Sequence, residues 1–344
     1  MDMDYACVSC GIQMEYHEKG FFFLHNEQSH PVPMAGDFQK VEQCTYTFQY
    51  DDLNELCERL SEVEPLMVRD GWSCSINCSM KPGSFLPAEK FLPVIQHREM
   101  VNVIQQGQFK SHLQPIIALE DLSLFGYESL LRAEIGTKRI NPAELFEVAS
   151  LTGFHSMLDQ KARKSAIECR QGQVHPGTKS FINFLPSTIY NPEFCLRHTF
   201  KIVNEFGVNP SDLVFEVVET EKIEDVNHLR SVLDVYKREG MKVALDDVGS
   251  GFATVEMLTL LKPDYVKIDR SFINHCDSDK QNQEFLRKVM KIAGELDILV
   301  LAEGIERKEE LLFCKDIGIH YAQGYFIGKP TSEAMAPFAE SQFV

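Results

Sequence analysis

No apolar run in the 344-residue sequence approaches the length that crosses a bilayer, so no membrane partner is expected. The first residues, Met1-Asp2-Met3-Asp4-Tyr5-Ala6, are acidic and lack the basic and apolar regions of a signal peptide. A cytoplasmic location is the expectation. An excess of positive charge is also missing. The 34 Lys and Arg face 51 Asp and Glu, a net charge of −17, which argues against binding a nucleic-acid polymer or an anionic membrane. A small phosphorylated ligand stays open, because metal ions held by acidic groups invert the local field. Internal repeats and low-complexity tracts are absent. What is present, 44% hydrophobic and 25% charged residues, is the balance of a soluble globular protein.

The chain reads as two parts. Residues 1–95 form a small module with six Lys and Arg against fifteen Asp and Glu, a balance of −9. Within it, Cys44 to Tyr50 alternates as a strand. Asp51-Asp52-Leu53 then opens a helix with Leu53, Leu56, Leu60 and Val63 on one face. Pro82-Gly83, Pro87 and Pro93 punctuate the expected connection. From residue 97 to 344, strand-like runs (112–119, 125–131, 180–184, 213–218, 242–245, 265–268, 298–302, 320–322) alternate with amphipathic stretches such as 142–151, 226–238 and 282–296. The first two runs are joined too briefly for a helix and should pair antiparallel. The later ones should be parallel. The expected fold is α/β: a modified (β/α)8 TIM barrel with one antiparallel strand, preceded by a small α+β module.

Most of these runs end in an ionisable or amide residue: Glu128 with Arg132, Asn183, Glu216 with Glu219, Asp246-Asp247, Lys267 with Asp269, Glu303 with Glu306, and Gln323. Catalytic groups of barrel enzymes sit at the C-terminal ends of strands. Carboxylate and amide oxygens suit hard cations such as Mg²⁺ or Mn²⁺. A phosphodiester repels hydroxide; two cations would offset its charge and lower the pKa of a bridging water. Gly249-Ser250-Gly251 permits a tight loop beside the aspartates. Taken singly, Asp246-Asp247 could be a helix cap, Asn183 turn chemistry, and Arg132 a surface ion pair. Taken together, those readings would leave every ionisable strand end without a role.

Carried on these motifs, with Glu128-Ser129-Leu130-Leu131-Arg132 foremost, the segment from about Val101 to Pro330 resembles an EAL domain, the family that hydrolyses cyclic di-GMP. The resemblance implies that Glu128, Asn183, Glu216 and Asp246 hold a first metal. It implies that Asp247 holds a second, bridged by Asp246, with Glu303 completing the metal-water site. Lys267 would orient the attacking water. Glu219 would anchor the loop after Asp247. Gln114, Leu131, Arg132, Asp269 and Gln323 would contact substrate or its surroundings. The catalytic set is then Glu128, Asp246, Lys267 and Glu303, with two Mg²⁺ or Mn²⁺ per site, cyclic di-GMP as partner, 5'-pGpG as product, and a homodimer as the expected assembly. The rival is a cyclic di-GMP receptor without turnover; such members lack a carboxylate or the lysine, and this chain has them all. Ser129, Val218, Val248, Phe252 and Ala253 depart from the usual pattern but spare every charged position.

Ten cysteines are expected as thiols or metal ligands in a cytoplasmic protein. Cys7-Val8-Ser9-Cys10-Gly11 has the spacing of a zinc knuckle, and Cys74 with Cys78 could complete a structural Zn²⁺ site. His17, His25, Cys44 and Cys57 compete as ligands, and buried thiols are the alternative. Cys169, Cys195, Cys276 and Cys314 have no ligand spacing and read as plain thiols.

Overall fold

Period-two alternation builds the larger part of the molecule. In a strand, residues i and i+2 share a face. Phe181/Asn183, Val214/Glu216, Ala244/Asp246, Tyr265/Lys267, Leu301/Glu303 and Tyr321/Gln323 are such pairs. The first member of each packs in or against one interior apolar cluster with Ile116, in which Phe125 stacks on Tyr321 at 3.8 Å. The second member lies one step further toward the strand's C-terminal end, so an apolar floor carries a polar layer.

The computed structural model describes residues 15–28, 30–33, 38–135, 138–218, 225–248 and 255–334. The strands are β1 (Gly20–His25), β2 (Gln39–Glu42), β3 (Thr45–Tyr50), β4 (Ser73–Asn77), β5 (Leu86–Pro87), β6 (Lys110–Ala118), β7 (Leu124–Ile135), β8 (Lys138–Ile140), β9 (Lys179–Phe184), β10 (Leu213–Val217), β11 (Lys242–Val248), β12 (Tyr265–Ile268), β13 (Leu299–Ala302) and β14 (Tyr321–Gln323). Strands β7 and β9 to β14 run parallel in ring order, and β6 pairs antiparallel with both β7 and β14, closing an eight-strand barrel. The expected α/β barrel and its single antiparallel strand are both present.

Outward faces of these strands are apolar as well, because helices cover them. Leu245, Val266, Ile268 and Val300 join one core with Leu229, Val232, Leu233 and Tyr236 of helix Val226–Arg238 and Leu286, Val289 and Ala293 of helix Lys280–Glu295. Each such buried Leu or Val contributes about 1.5–3 kcal/mol over exposure. Asp225 caps the first of these helices by accepting from the Asn227 and His228 N–H groups, and Asp279 caps the second.

Two compact units emerge from the packing. One takes the described residues up to Gln108 together with Ala133–Leu158; the other takes Phe109–Arg132 and the described residues from Asp159 onward. The segment Ala133–Leu158, which the sequence groups with the barrel, thus packs within the first unit, where Lys90 Nζ donates to the Leu151 carbonyl (3.4 Å). The first unit holds an antiparallel sheet of order β2-β3-β1-β4-β5. Helix Leu53–Arg69, capped by Asp52, buries Leu53, Leu56, Leu60 and Met67; Val63 is half-buried, and Met67 extends the stripe. Pro93 does not mark a linker. It sits inside helix Ala88–Gln96, whose buried Phe91, Leu92, Val94 and Ile95 outweigh the one lost backbone bond. No described helix is long and apolar enough to cross a membrane. All eight described cysteines are free thiols.

Candidate active site at the barrel mouth

The polar layer converges on one lysine. Lys267, on β12, is 1% exposed. Its Nζ donates to Glu303 Oε1 at 2.6 Å and to Glu216 Oε2 at 2.9 Å. It lies 3.3 Å from Asp246 Oδ1 and 3.7 Å from Glu128 Oε1. Register explains the gathering. Glu216 is level with Asn183 across β10 and β9, and Glu128 directly faces Gln114 across β7 and β6. Glu128 is held from both sides: Asn183 Nδ2 donates to Oε1 (3.0 Å) and Gln323 Nε2 to Oε2 (2.7 Å). On β11 the pairing with β12 slips between Leu245 and Val248, at the Asp246-Asp247 step. Such a bulge is a usual device for re-aiming a side chain at a barrel rim.

Among the described residues, four carboxylates around one ammonium leave a formal balance of −3 in a largely buried site, which is costly unless further positive charge is supplied. Glu216 Oε1 and Gln323 Oε1 are buried acceptors with no donor among the described residues. An all-oxygen set with excess negative charge and unused acceptors fits hard divalent cations. Burial pushes Glu216 well above the usual carboxylate range, against the pull of Lys267. Burial also raises Glu128, but the Lys267 charge and the bonds from Gln323 and Asn183 outweigh it and leave that carboxyl low. Lys267 loses solvation on burial, yet Asp246, Glu128, Glu216 and Glu303 together hold it well above its ordinary value. It is therefore a fixed cation at neutral pH and not a proton acceptor.

Burial raises the Glu303 carboxyl to about 8, with Asp246 and Glu128 adding to the rise and Lys267 opposing it. A carboxyl raised on folding favours the folded state when protonated. Its contribution is complete below the unfolded value of 4.5 and is lost as pH climbs through about 8. In chelator, wild type should therefore lose stability relative to Glu303→Gln between pH 5 and 8.5. Parallel urea curves at the two pH values that show no change in that difference would refute this.

A cavity of about 250 Å³ opens beside this cluster, lined by Gln114, Glu128, Glu303 and Gln323 and by Arg270, Glu306 and Tyr325. The sequence reading did not assign Arg270 or Tyr325 a role and left Glu306 outside its site. Their signal was position: each follows a barrel strand by a few residues, on the catalytic face. Arg270 Nη2 pairs with Glu306 Oε1 at 2.8 Å. Gln114 Nε2 donates to the Gly328 carbonyl (3.3 Å). Arg132, further along β7, donates to the Leu131 and Leu130 carbonyls (2.8 and 3.3 Å), and both Leu131 and Arg132 are half-buried. Asp269 caps the short helix Arg270–Ile273 by accepting from Ser271 N–H (3.0 Å). The Asp247 side chain, Glu219, Cys7 and Cys10 lie outside the described residues. Cys74 is fully buried on β4, its thiol pushed up by burial, while Cys78 is exposed. Among the described residues of the first unit, no three metal-ligating side chains converge.

Comparison with known proteins gives a consistent result. The family model described as EAL domain matches residues 84–330. The probable cyclic di-GMP phosphodiesterase PdeG of Escherichia coli (strain K12) is 30% identical over 238 residues, which are 67% of this chain and 46% of that protein. The cyclic di-GMP phosphodiesterase PdeL of the same organism is 26% identical over 231 residues, 66% of this chain and 64% of its own length. This chain thus spans under half of the first relative. Among solved structures, a standalone EAL protein from Vibrio cholerae O395 in its c-di-GMP-bound form is similar with a TM-score of 0.61 and 31% identity, covering 67% of this chain and 96% of its own. Klebsiella pneumoniae BlrP1, in a manganese and cyclic di-GMP complex, is similar with a TM-score of 0.61 and 26% identity, covering 68% and 59%.

Proposed function

The chain belongs to the EAL domain family, and from that premise we propose that it hydrolyses cyclic di-GMP to linear 5'-pGpG at the barrel mouth, using Mg²⁺ or Mn²⁺. The observation that carries the reading is the convergence of Glu128, Glu216, Asp246 and Glu303 on Lys267, with Asn183 and Gln323 bonded to Glu128. Glu128, Asn183, Glu216 and Asp246, with Asp247 as the partner for a second ion, would hold the cations. Bound there, the cations would supply the Lewis acidity and charge neutralisation that phosphodiester cleavage needs.

The chain's own groups do the rest. Asn183 and Gln323 fix the Glu128 carboxylate in one orientation, so a ligand atom is preorganised before substrate arrives. Lys267 Nζ keeps its proton and presents a permanent positive charge where negative charge builds on the reacting phosphate. Glu303 is the least enclosed of Lys267's carboxylate partners, at 20% side-chain exposure, and it lines the cavity. It is suited to hold the attacking water by accepting one of its protons. Gln114 at the cavity wall, with Arg132 further along β7, is suited to the dinucleotide.

A receptor without turnover would use the same pocket, so the assay must follow product. Incubation of the pure protein with cyclic di-GMP and Mg²⁺ or Mn²⁺, with nucleotides resolved by chromatography, should yield 5'-pGpG. Ca²⁺, with longer and looser coordination, should inhibit. Binding without product in either metal, or full turnover in excess chelator, would overturn the proposal.

A further inference from the structure

The loop that carries Glu303 and Glu306 runs directly into helix Lys308–Asp316, and the third residue of that helix, Glu310, is buried with 0% exposure. Its two oxygens accept four hydrogen bonds. Oε2 accepts from the backbone N–H of Glu306 (3.0 Å) and of Arg307 (3.1 Å). Oε1 accepts from the backbone N–H of His275 (2.9 Å) and from Arg307 Nε (3.0 Å). The Arg307 guanidinium also pairs with Asp277. A bond from the N3 glutamate back to the N-cap amide is an ordinary capping box. The bond to His275 is not. His275 belongs to the segment after β12, five residues beyond Arg270, and nothing in a helix cap calls for it.

One buried carboxylate therefore ties together the loops that follow two neighbouring strands, the strand of Lys267 and the strand before Glu303. The same two loops meet again at the cavity. Arg270 pairs with Glu306 there, and Gly304, at φ +70°, packs so tightly that a Cβ would overlap the Arg270 side chain. His275 itself holds a left-handed φ of +58°, a conformation that costs a non-glycine residue about 1–2 kcal/mol and persists where its surroundings hold it in place. His275, Asp277 and Glu310 also gather ligand types for a cation, but Arg307 already supplies the positive charge among them.

We propose that Glu310 is a positioning residue for the barrel-mouth reaction: it clamps the 303–306 loop onto the segment after β12, and so keeps Glu303 Oε1 within 2.6 Å of Lys267 Nζ. The inference rests on the phosphodiesterase reading for its kinetic test. A misplacement of about 1 Å originating far from the chemistry can cost roughly 100-fold in rate. Glu310→Ala should lower kcat for cyclic di-GMP about 30- to 100-fold while KM stays within about threefold. Glu310→Gln keeps a single acceptor oxygen, enough for one side of the clamp, while its NH2 group can only donate toward the other pair of N–H groups, so its kcat should fall between those of wild type and Glu310→Ala. A folded Glu310→Ala protein with kcat within threefold of wild type overturns the proposal. So does Glu310→Gln with wild-type kcat, since the two-sided tie between the loops would then be dispensable. Should Glu310→Ala not fold, Arg307→Met, which strips only the partly exposed arm of the clamp, should still lower kcat about fivefold; an unchanged kcat overturns the idea. If wild type itself has no turnover, the function proposal fails, and the clamp is judged by hydrogen exchange. Amides of residues 303–307 should then exchange at least tenfold faster in Glu310→Ala or Arg307→Met, and equal protection would reject it.

Discussion

Glu128→Ala should lower cyclic di-GMP turnover at least ~1,000-fold and leave a folded barrel. The side chain is buried at the mouth, with both oxygens engaged by Asn183 and Gln323 and one of them 3.7 Å from Lys267 Nζ. Removing it takes away a proposed cation ligand, and a lost Lewis-acid contact of several kcal/mol translates into three or more decades of rate. The stability cost has two opposing parts. Two amide donors lose their acceptor, at about 1–3 kcal/mol each where they stay dry. Against that, one of four carboxylates crowded about a single ammonium disappears, which relieves repulsion on Glu216 and Glu303. The net change should leave the circular-dichroism spectrum unaltered and the melting temperature within a few degrees. Steady-state rates measured with saturating Mn²⁺ decide the point. A variant keeping a tenth of wild-type turnover would show that Glu128 is not a ligand.

Much of this site was legible in the sequence because a strand repeats every two residues. Asn183, Glu216, Asp246, Lys267 and Gln323 each stand two residues beyond a residue of the apolar floor, so pattern alone puts them on one face at one level. The antiparallel entry of β6 was legible too, since the five residues between the runs 112–119 and 125–131 leave no room for a crossover helix. What escaped was what depends on contact between distant loops. Nothing local in the sequence announces that Glu310 accepts from the backbone of His275, thirty-five positions earlier. Arg270 and Glu306 look like solvated loop charges until the fold brings them together at the cavity. Pro93 misled because a helix-breaking preference was set against burial that only the tertiary structure supplies.

Lys267→Met should separate catalysis from binding most sharply. The lysine is 1% exposed and, among the described residues that line the cavity, its ammonium pairs with Glu128 and Glu303, so substrate has little ground-state contact to lose. Its charge should act where negative charge develops in the transition state. We expect kcat to fall roughly 100- to 1,000-fold, with KM within about threefold. The same substitution should weaken the fold in chelator, because it leaves Glu216 and its neighbours buried without a counter-ion, a loss of about 3–5 kcal/mol for a broken buried pair. That loss must depend on pH. Carboxylates deprived of the ammonium bind protons more tightly, and once protonated they tolerate burial, so the destabilisation should shrink toward pH 5 and grow toward pH 8. Saturating Mn²⁺ should restore part of it by supplying positive charge to the same oxygens. Equal, modest losses in kcat and KM would reassign Lys267 to substrate binding. A destabilisation that is flat with pH would mean that methionine packing, and not the stranded carboxylates, is what the fold resents.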